Sequence, residues 1–150
     1  MTGDALHMLV ALDLDEGGET VLAEALRYAH RMNAVVDIVH VAPPEPADFV
    51  GYSPGPDSVR DSVAKRLRKE HSAVVDLREK ITQAGVAVGH ALTIQGEIFS
   101  AVMAEVERLK PNLLVMGQSH HRRFLQSLIR NPTEKAVQDI KCVMMIIPTS

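Results

Sequence analysis

The sequence predicts an α/β fold of three layers, in which helices cover both faces of a five-stranded parallel sheet. Two observations predict it. Short, wholly apolar runs alternate along the chain with longer segments whose apolar residues recur at helical spacing, and strands that are apolar throughout belong to sheets buried on both faces. The length of 150 residues and the apolar fraction of 46% fit a single domain, residues 1–150.

The first part of the chain predicts a strand, a helix and a second strand. Met8–Leu12 is a compact apolar run that Asp13 closes, and Val35–Val41 is rich in β-branched residues. An apolar stripe between them predicts an amphipathic helix. Its members are Val21, Leu22, Ala25, Leu26 and Ala29.

A long loop and a long helix follow. Pro43–Pro56 contains too many prolines and glycines for regular structure. Asp57 or Ser58 is the expected cap of the helix, and Gly85 ends it. The apolar stripe of this helix comprises Val59, Val63, Leu67, Val74, Leu77 and Ile81. A mixed, solvated face is predicted from its charged residues Lys65, Arg66, Arg68, Lys69 and Glu70.

The last part of the chain predicts three strands and two helices. The strands are Val86–Ile94, Leu113–Met116 and Val143–Ile147, and the helices are Ile98–Leu109 and about Pro132–Ile140. The final helix opens with a capping asparagine, a proline at its first position and a glutamate at its third. This start, Asn131–Glu134, suits a helix that binds no ligand.

A basic segment without glycine, Gln118–Arg130, lies between Gly117 and that helix, and we interpret it as a loop. A glycine-started loop that leads into a helix N-terminus often binds phosphate, because free backbone N–H groups and the helix dipole both favour an anion. No cysteine or carboxylate lies at metal-ligand spacing from His120 and His121. We therefore predict that both side chains are solvated and that they bind no metal. The cations that could contact an anion are His120, His121, Arg122, Arg123 and Arg130.

Composition excludes several classes of partner and location. The net charge of −3 gives no electrostatic reason to expect nucleic acid. No apolar run approaches the roughly 18–20 residues of a membrane span, and the N-terminus lacks the pattern of a signal peptide. The single cysteine, Cys142, cannot form an internal disulfide and is expected to be a buried, inert thiol. We therefore expect a soluble, cytoplasmic protein.

Periodicity alone leaves the order of the strands open. The flavodoxin-like order places the first and third strands at the point where strand order reverses, whereas the order 3-2-1-4-5 places the first and fourth strands there. Ligands of doubly wound sheets bind beyond the carboxyl ends of the strands at that point. Asp13 ends the first strand and Gly117 ends the fourth, so the polar and glycine signals concentrate at those two tips.

Over essentially its full length the chain resembles the universal stress protein family. The resemblance is carried by Leu9–Asp13 at the first strand, by His40–Val41 at the second strand's tip and by the Gly96–Glu97 step before a helix. The segments "NLLVMG" (Asn112–Gly117) and "CVMMIIP" (Cys142–Pro148) complete it. The resemblance implies a Rossmann-like sheet of the adenine nucleotide alpha hydrolase-like type, in the order 3-2-1-4-5, and a homodimer.

The resemblance also implies a nucleotide site in one branch of the family and none in another. In the nucleotide-binding branch, Asp13 and the backbone of Val41 would hold the adenine, and Gly117 would begin a phosphate loop of the form Gly-x2-Gly-x9-Gly-Ser/Thr. This chain departs from that loop, since the second glycine is His120, the third is Arg130 and the Ser/Thr is Asn131. Asp15 also replaces the serine of the family's Asp-Gly-Ser step.

Three hypotheses for the function follow. The first is a non-enzymatic regulatory or interaction module without a high-affinity nucleotide site. The second is an ATP- or AMP-binding module; its site residues are Asp13, Val41, Gly117, Arg130, Asn131 and Thr133. The third, an enzyme of slow ATP hydrolysis, is the weakest, because the sequence has no Gly-x4-Gly-Lys-Ser/Thr motif and no evident acid–base pair.

The last predicted strand also bears on assembly. Val143–Ile147 is apolar at every position, and at a sheet edge its free backbone groups would be a template for pairing. Pairing with its copy would close that edge. We therefore expect a homodimer through Val143, Met144, Met145, Ile146 and Ile147.

Overall fold

The computed structural model describes residues 5–42, 56–130 and 142–149, apart from the side chains of residues 56–61 and 63. The five strands are β1 (His7–Ala11), β2 (Val35–Ala42), β3 (Ala87–Gln95), β4 (Leu113–Gly117) and β5 (Val143–Ile147). The four helices of these ranges are α1 (Glu16–Met32), α2 (Pro56–Gln83), α3 (Ile98–Leu109) and α4 (Gln118–Arg130). Each predicted strand agrees with the observed one to within one residue at either end.

The strands form one parallel sheet in the order β3-β2-β1-β4-β5. This order confirms the one that the family resemblance implies and excludes the flavodoxin-like alternative. Strand order reverses between β1 and β4, where Ala11 lies opposite Met116. The residues after these two strands, Leu12–Asp15 and the start of α4, therefore face each other across a crevice at the carboxyl edge of the sheet.

Two separate apolar cores lie on the two faces of the sheet. Successive strand residues point to opposite faces, so Met8 and Val10 belong to the core beneath α1 and α2, whereas Leu9 and Ala11 belong to the core beneath α3 and α4. All four are fully buried. The prediction of a sheet covered on both faces is therefore confirmed.

The N-terminus of α1 is fixed against the end of β1. The Asp15 carboxylate accepts a hydrogen bond of 2.8 Å from the Gly18 N–H, which makes Asp15 the cap of the helix. A Cβ at position 18 would lie only 1.7 Å from the Asp13 carbonyl oxygen, so only glycine fits here. This contact holds the backbone that carries Asp13 and Asp15 in place.

The segment Gln118–Arg130 is a helix, and its interpretation as a loop was wrong. His120, Phe124 and Ser127 lie on one side of α4 and are buried, and the Phe124 ring packs on Phe99 of α3 with 4.9 Å between centroids. The apolar stripe was hard to find because a histidine and a serine occupy two of its three buried positions. Their polar atoms hide the helical period from any count of apolar residues.

Three other predictions fall on or near undescribed parts of the chain. The predicted loop lies outside the described residues, except that Pro56 already begins α2. Because α2 begins there, Asp57 and Ser58 lie within the helix and are not caps before it. The predicted helix Pro132–Ile140 lies outside the described residues. No helix in the described ranges is long and apolar enough to cross a membrane.

Ser127 connects α4 to the start of α3. The Phe99 N–H donates to Ser127 Oγ at 3.3 Å, and the Ser127 hydroxyl donates to Glu97 Oε2 at 3.1 Å. Glu97 is the N-cap residue of α3, but its own side chain does not cap the helix. A serine from another helix therefore satisfies one of the free N–H groups at this terminus.

Replacement of this serine should destabilise the fold measurably. We expect Ser127→Ala to lower the free energy of unfolding by about 1–2 kcal/mol, because a buried N–H group at the helix terminus loses its acceptor. Urea unfolding measures the change, with the exposed neighbour Gln126→Ala as the control. Equal stability of the two variants would show that the Ser127 hydroxyl makes no net contribution.

Candidate functional site

Asp13 lies beyond β1 at the crevice, and a cation of the same chain occupies it. Leu12 continues the strand through a hydrogen bond from its N–H to the Val39 carbonyl oxygen at 3.1 Å. The carboxylate of the next residue, Asp13, forms a direct ion pair with the Arg123 guanidinium of α4. The residue predicted to bind adenine is thus neutralised within the structure by a helix that was expected to be a loop.

Arg123 lies between two clefts. The first, which we call the α2 cleft, has a volume of about 730 Å³ and is bordered by Asp13, Asp15, His40, Arg66, Lys69 and Glu70, among others. The second, which we call the α3 cleft, has a volume of about 380 Å³ and includes Val41, Glu97, Gln126, Ser127 and Arg130. Arg123 contributes to the wall of both.

Gly117 ends β4 where three elements meet. A Cβ there would lie 2.6 Å from Val21 Cγ2 of α1 and 2.9 Å from Thr149 Cγ2, which follows β5. Both methyl groups belong to β-branched side chains, which cannot easily turn away. Close packing of α1 and the end of β5 onto β4 is therefore sufficient to require glycine, with or without a phosphate.

His120 is buried, so its prediction as a solvated loop residue was wrong. Only 3% of the residue is exposed, and its Nδ1 has no hydrogen-bond partner within the part of the chain that the structure describes. Burial lowers the pKa of His120; the Asp13 carboxylate opposes this, whereas Arg123 and His40 add to it. His120 also borders a small cavity of about 90 Å³ beside Gly117 and the start of α1.

Four of the six residues predicted for a nucleotide site lie in the described ranges. Asp13 borders the α2 cleft and, together with Gly117, the small cavity at α1, whereas Val41 and Arg130 border the α3 cleft. The remaining two, Asn131 and Thr133, lie outside the described residues. Within the described ranges, no three histidine, cysteine or acidic residues are arranged to hold a metal ion.

Sequence reasoning missed a polar cluster on the α1–α2 side of the crevice. His40 of β2 is buried, and its Nδ1 lies 3.4 Å from the Leu12 carbonyl oxygen. Its Nε2 lies 3.7 Å from Glu70 Oε2 of α2. Arg66 and Glu70 are half-buried, so the predicted solvated face of α2 was wrong at these two positions. The available signal was His40 itself, a polar residue inside an apolar strand.

Cys142 is half-buried immediately before β5. Burial raises the pKa of its thiol, which disfavours the reactive thiolate. The expectation of an unreactive thiol agrees with this shift, although the side chain is less buried than expected.

A doubly wound parallel sheet with a polar crevice beyond β1 and β4 defines the class of α/β proteins whose ligand sites lie at a topological switch point. Within that class the chain belongs to the universal stress protein family, whose family model matches residues 6–148. The resemblance seen in the sequence is thereby confirmed.

Individual relatives agree with this assignment. The chain is 27% identical over 143 residues to the universal stress protein A homolog of Haemophilus influenzae, with 95% of each chain covered. A universal stress family protein from Burkholderia pseudomallei has a similar fold, with a TM-score of 0.66 at 23% identity and 95% of each chain covered.

Two further structures of similar fold contain nucleotides. One is a universal stress protein in complex with cAMP, with a TM-score of 0.60 at 16% identity, covering 99% of this chain and 100% of that one. The other is a universal stress protein family protein from Arabidopsis thaliana with AMP bound. Its TM-score is 0.59 at 17% identity, and the match covers 97% of this chain and 92% of that one. At these identities the likeness shows the fold.

The packing role of Gly117 can be separated from a role in ligand binding. We expect Gly117→Ala to lower the free energy of unfolding by about 1–3 kcal/mol in the absence of any ligand, because the added methyl group overlaps the Val21 side chain. Urea unfolding of Gly117→Ala, Val21→Ala and the double variant measures the coupling. We expect the double variant to lose less free energy of unfolding than the sum of the two single changes. Simple additivity would refute the packing explanation.

Proposed function

We propose that this universal stress protein is a non-enzymatic regulatory or interaction module of the stress response that works without a high-affinity ATP site. The observation that carries the proposal is the ion pair between Arg123 and Asp13. A nucleotide base that used Asp13 would first have to displace a guanidinium of the same chain. Breaking such a partly exposed pair costs about 0.2–1 kcal/mol, which weakens binding by up to about fivefold.

Helix α4 adds a second obstacle to phosphate binding. Free backbone N–H groups hold phosphates in glycine-rich loops. In an α-helix only the first four N–H groups are free, so those from Arg122 onward are bonded within α4. The segment that the family resemblance assigns to the phosphates thus offers few backbone donors.

The absence of catalysis is also part of the proposal. Ser119 and His120 are neighbours in sequence, but the Ser119 hydroxyl lies 3.4 Å from Thr149 Oγ1. The Nδ1 of His120 has no partner in the described ranges. A nucleophile needs a base within hydrogen-bond reach, and this pair does not supply one.

The second candidate function is binding of an adenine nucleotide such as ATP or AMP. It is favoured by the α3 cleft, where the β2 tip residue Val41 lies together with the cations Arg123 and Arg130. It is also favoured by the relatives that hold cAMP and AMP. Under this alternative, Arg123 would release Asp13 and turn toward the phosphates.

Assembly through β5 is a further part of the proposal. β5 is the edge strand of the sheet, and Val143 is 67% exposed while Ile146 is 36% exposed. An exposed apolar edge is an aggregation hazard unless it is covered, and an antiparallel pair with a second copy covers it and limits growth. We therefore propose a homodimer through Val143–Ile147 and, as the sequence suggests, a cytoplasmic location.

ATP should bind weakly to the wild-type chain. We expect ATP, ADP and AMP at about 1 mM to stabilise the protein by at most about 0.4 kcal/mol, because a ligand at or below its dissociation constant contributes no more. A thermal-shift titration measures the effect. Arg123→Ala, which frees Asp13, should bind more tightly than wild type, whereas the neighbouring control Arg122→Ala should not.

A saturable shift at about 10 µM ATP in the wild type, lost in Asp13→Ala, would contradict the proposal and establish the nucleotide-binding alternative.

The oligomeric state tests the role of β5. We expect sedimentation at roughly 10 µM to report about twice the chain mass of 16.4 kDa. The double variant Val143→Lys, Ile146→Lys should sediment as a monomer, because two buried charges would lack partners at the interface. Val75→Lys, a change at an exposed apolar residue of α2, is the matched control. A folded wild-type monomer would overturn the proposal, and a dimer that persists in the double variant would exclude β5 as its interface.

A further inference from the structure

The α2 cleft contains buried polar atoms that nothing in the described part of the chain satisfies. They are His40 Nε2, Glu70 Oε2, and Nε and Nη2 of Arg66. All three side chains border the same cleft. A buried polar atom without a partner costs about 1–3 kcal/mol, so four of them in one place indicate that something else completes the site.

His40 and Glu70 together present two acceptors. A carbonyl oxygen can only accept, so the contact between His40 Nδ1 and the Leu12 carbonyl oxygen places a proton on Nδ1. In the neutral imidazole, Nε2 is then an acceptor. It faces the Glu70 carboxylate at 3.7 Å, which is too long for a hydrogen bond. A donor that reaches both atoms would satisfy the pair.

Arg66, one helical turn from Glu70 on α2, presents hydrogen-bond donors and a positive charge. Its unpartnered Nε and Nη2 form one edge of the guanidinium, and this edge donates two parallel hydrogen bonds to a carboxylate or phosphate. Lys69 adds a second positive charge to the cleft wall. Residues 66 and 70 are four apart on α2 and therefore lie side by side on its surface.

We propose that the α2 cleft binds a small amphoteric molecule, with a primary ammonium group at Glu70 and His40 and an oxyanion at Arg66 and Lys69. An ammonium group fits better than a hydroxyl because it brings three donors and a positive charge to a carboxylate. Free amino acids and amino phosphates share this chemistry. Leu14 and Ala73 give the cleft an apolar wall for the rest of the ligand.

The cleft has room for such a ligand. Its volume of about 730 Å³ lies in the range of small-molecule sites. The unpartnered atoms lie beneath the cleft surface, so the proposal requires the long Arg66 and Glu70 side chains to rotate toward the ligand. His40 stays fixed by β2, so it sets the position of the ammonium group.

This inference does not rest on the proposed absence of an ATP site. The groups proposed to contact the ligand come from β2 and α2, whereas the nucleotide hypothesis uses Asp13, Val41 and the segment after β4. Asp13 also borders the α2 cleft, but its carboxylate is paired with Arg123. An amphoteric ligand and a nucleotide can therefore be tested separately in the same protein.

The experiment is an NMR titration of the full-length, ¹⁵N-labelled chain. The probes are the free L-amino acids and O-phosphoethanolamine, each at up to about 10 mM. We expect at least one probe to cause saturable shifts of backbone amides around His40 and Arg66–Ala73. Acetate and methylammonium, which each carry half of the chemistry, should bind at least tenfold more weakly.

Matched variants locate the site. Arg66→Gln and Glu70→Gln should each weaken binding of the active probe by about tenfold or more, because each removes a charge-assisted contact. Arg68→Gln and Glu79→Gln change exposed residues of the same helix and should leave binding unchanged. The chemical shifts of the variants without ligand report whether they keep the fold.

Three results would overturn the inference. The first is the lack of any saturable shift at the α2 cleft with every probe, which would mean that water alone fills it. The second is equal binding of acetate or inorganic phosphate and of the amphoteric probes, which would indicate a simple anion site. The third is shifts at these amides with ATP but with no amino acid or amino phosphate.

Discussion

The burial of Phe124 against Phe99 and the sheet is the contact on which the site depends. Because the ring of Phe124 is fixed in the core beneath α3 and α4, α4 has only one rotation about its axis. That rotation puts His120 into the interior, brings Ser127 to the start of α3 and carries Arg123 to Asp13. One aromatic contact thereby determines the electrostatics of the crevice.

The two sides of the crevice differ in how their polar groups are satisfied. On the α4 side, Arg123 pairs with Asp13, and Ser127 pairs with Glu97 and the Phe99 N–H, whereas the buried His120 Nδ1 has no partner in the described ranges. On the α2 side, His40, Arg66 and Glu70 retain unpartnered atoms. Since a buried polar group without a partner is costly, the α2 side, with four such atoms against one on α4, has the larger unmet hydrogen-bonding capacity for a ligand.

Family membership and site chemistry answer different questions. The match over residues 6–148 establishes that this is a universal stress protein, and relatives of the same fold hold cAMP and AMP. A shared fold does not carry a shared ligand, because ligand binding depends on a few side chains at the crevice. Here Arg123 pairs with Asp13. His120 and Arg130 stand where the phosphate loop implied by the family resemblance has glycine.

The sequence by itself determined the α/β class, the five strands to within one residue and the tips at which polar residues gather, because apolar runs and helical stripes follow directly from burial on two faces. It did not reveal α4, whose buried face includes His120 and Ser127, or the ion pair of Arg123 with Asp13. Nor did it reveal the cluster of His40, Arg66 and Glu70. Only the tertiary structure decided these, because each depends on polar residues that become buried or paired when helices pack on the sheet. The local spacing of apolar residues does not predict such contacts.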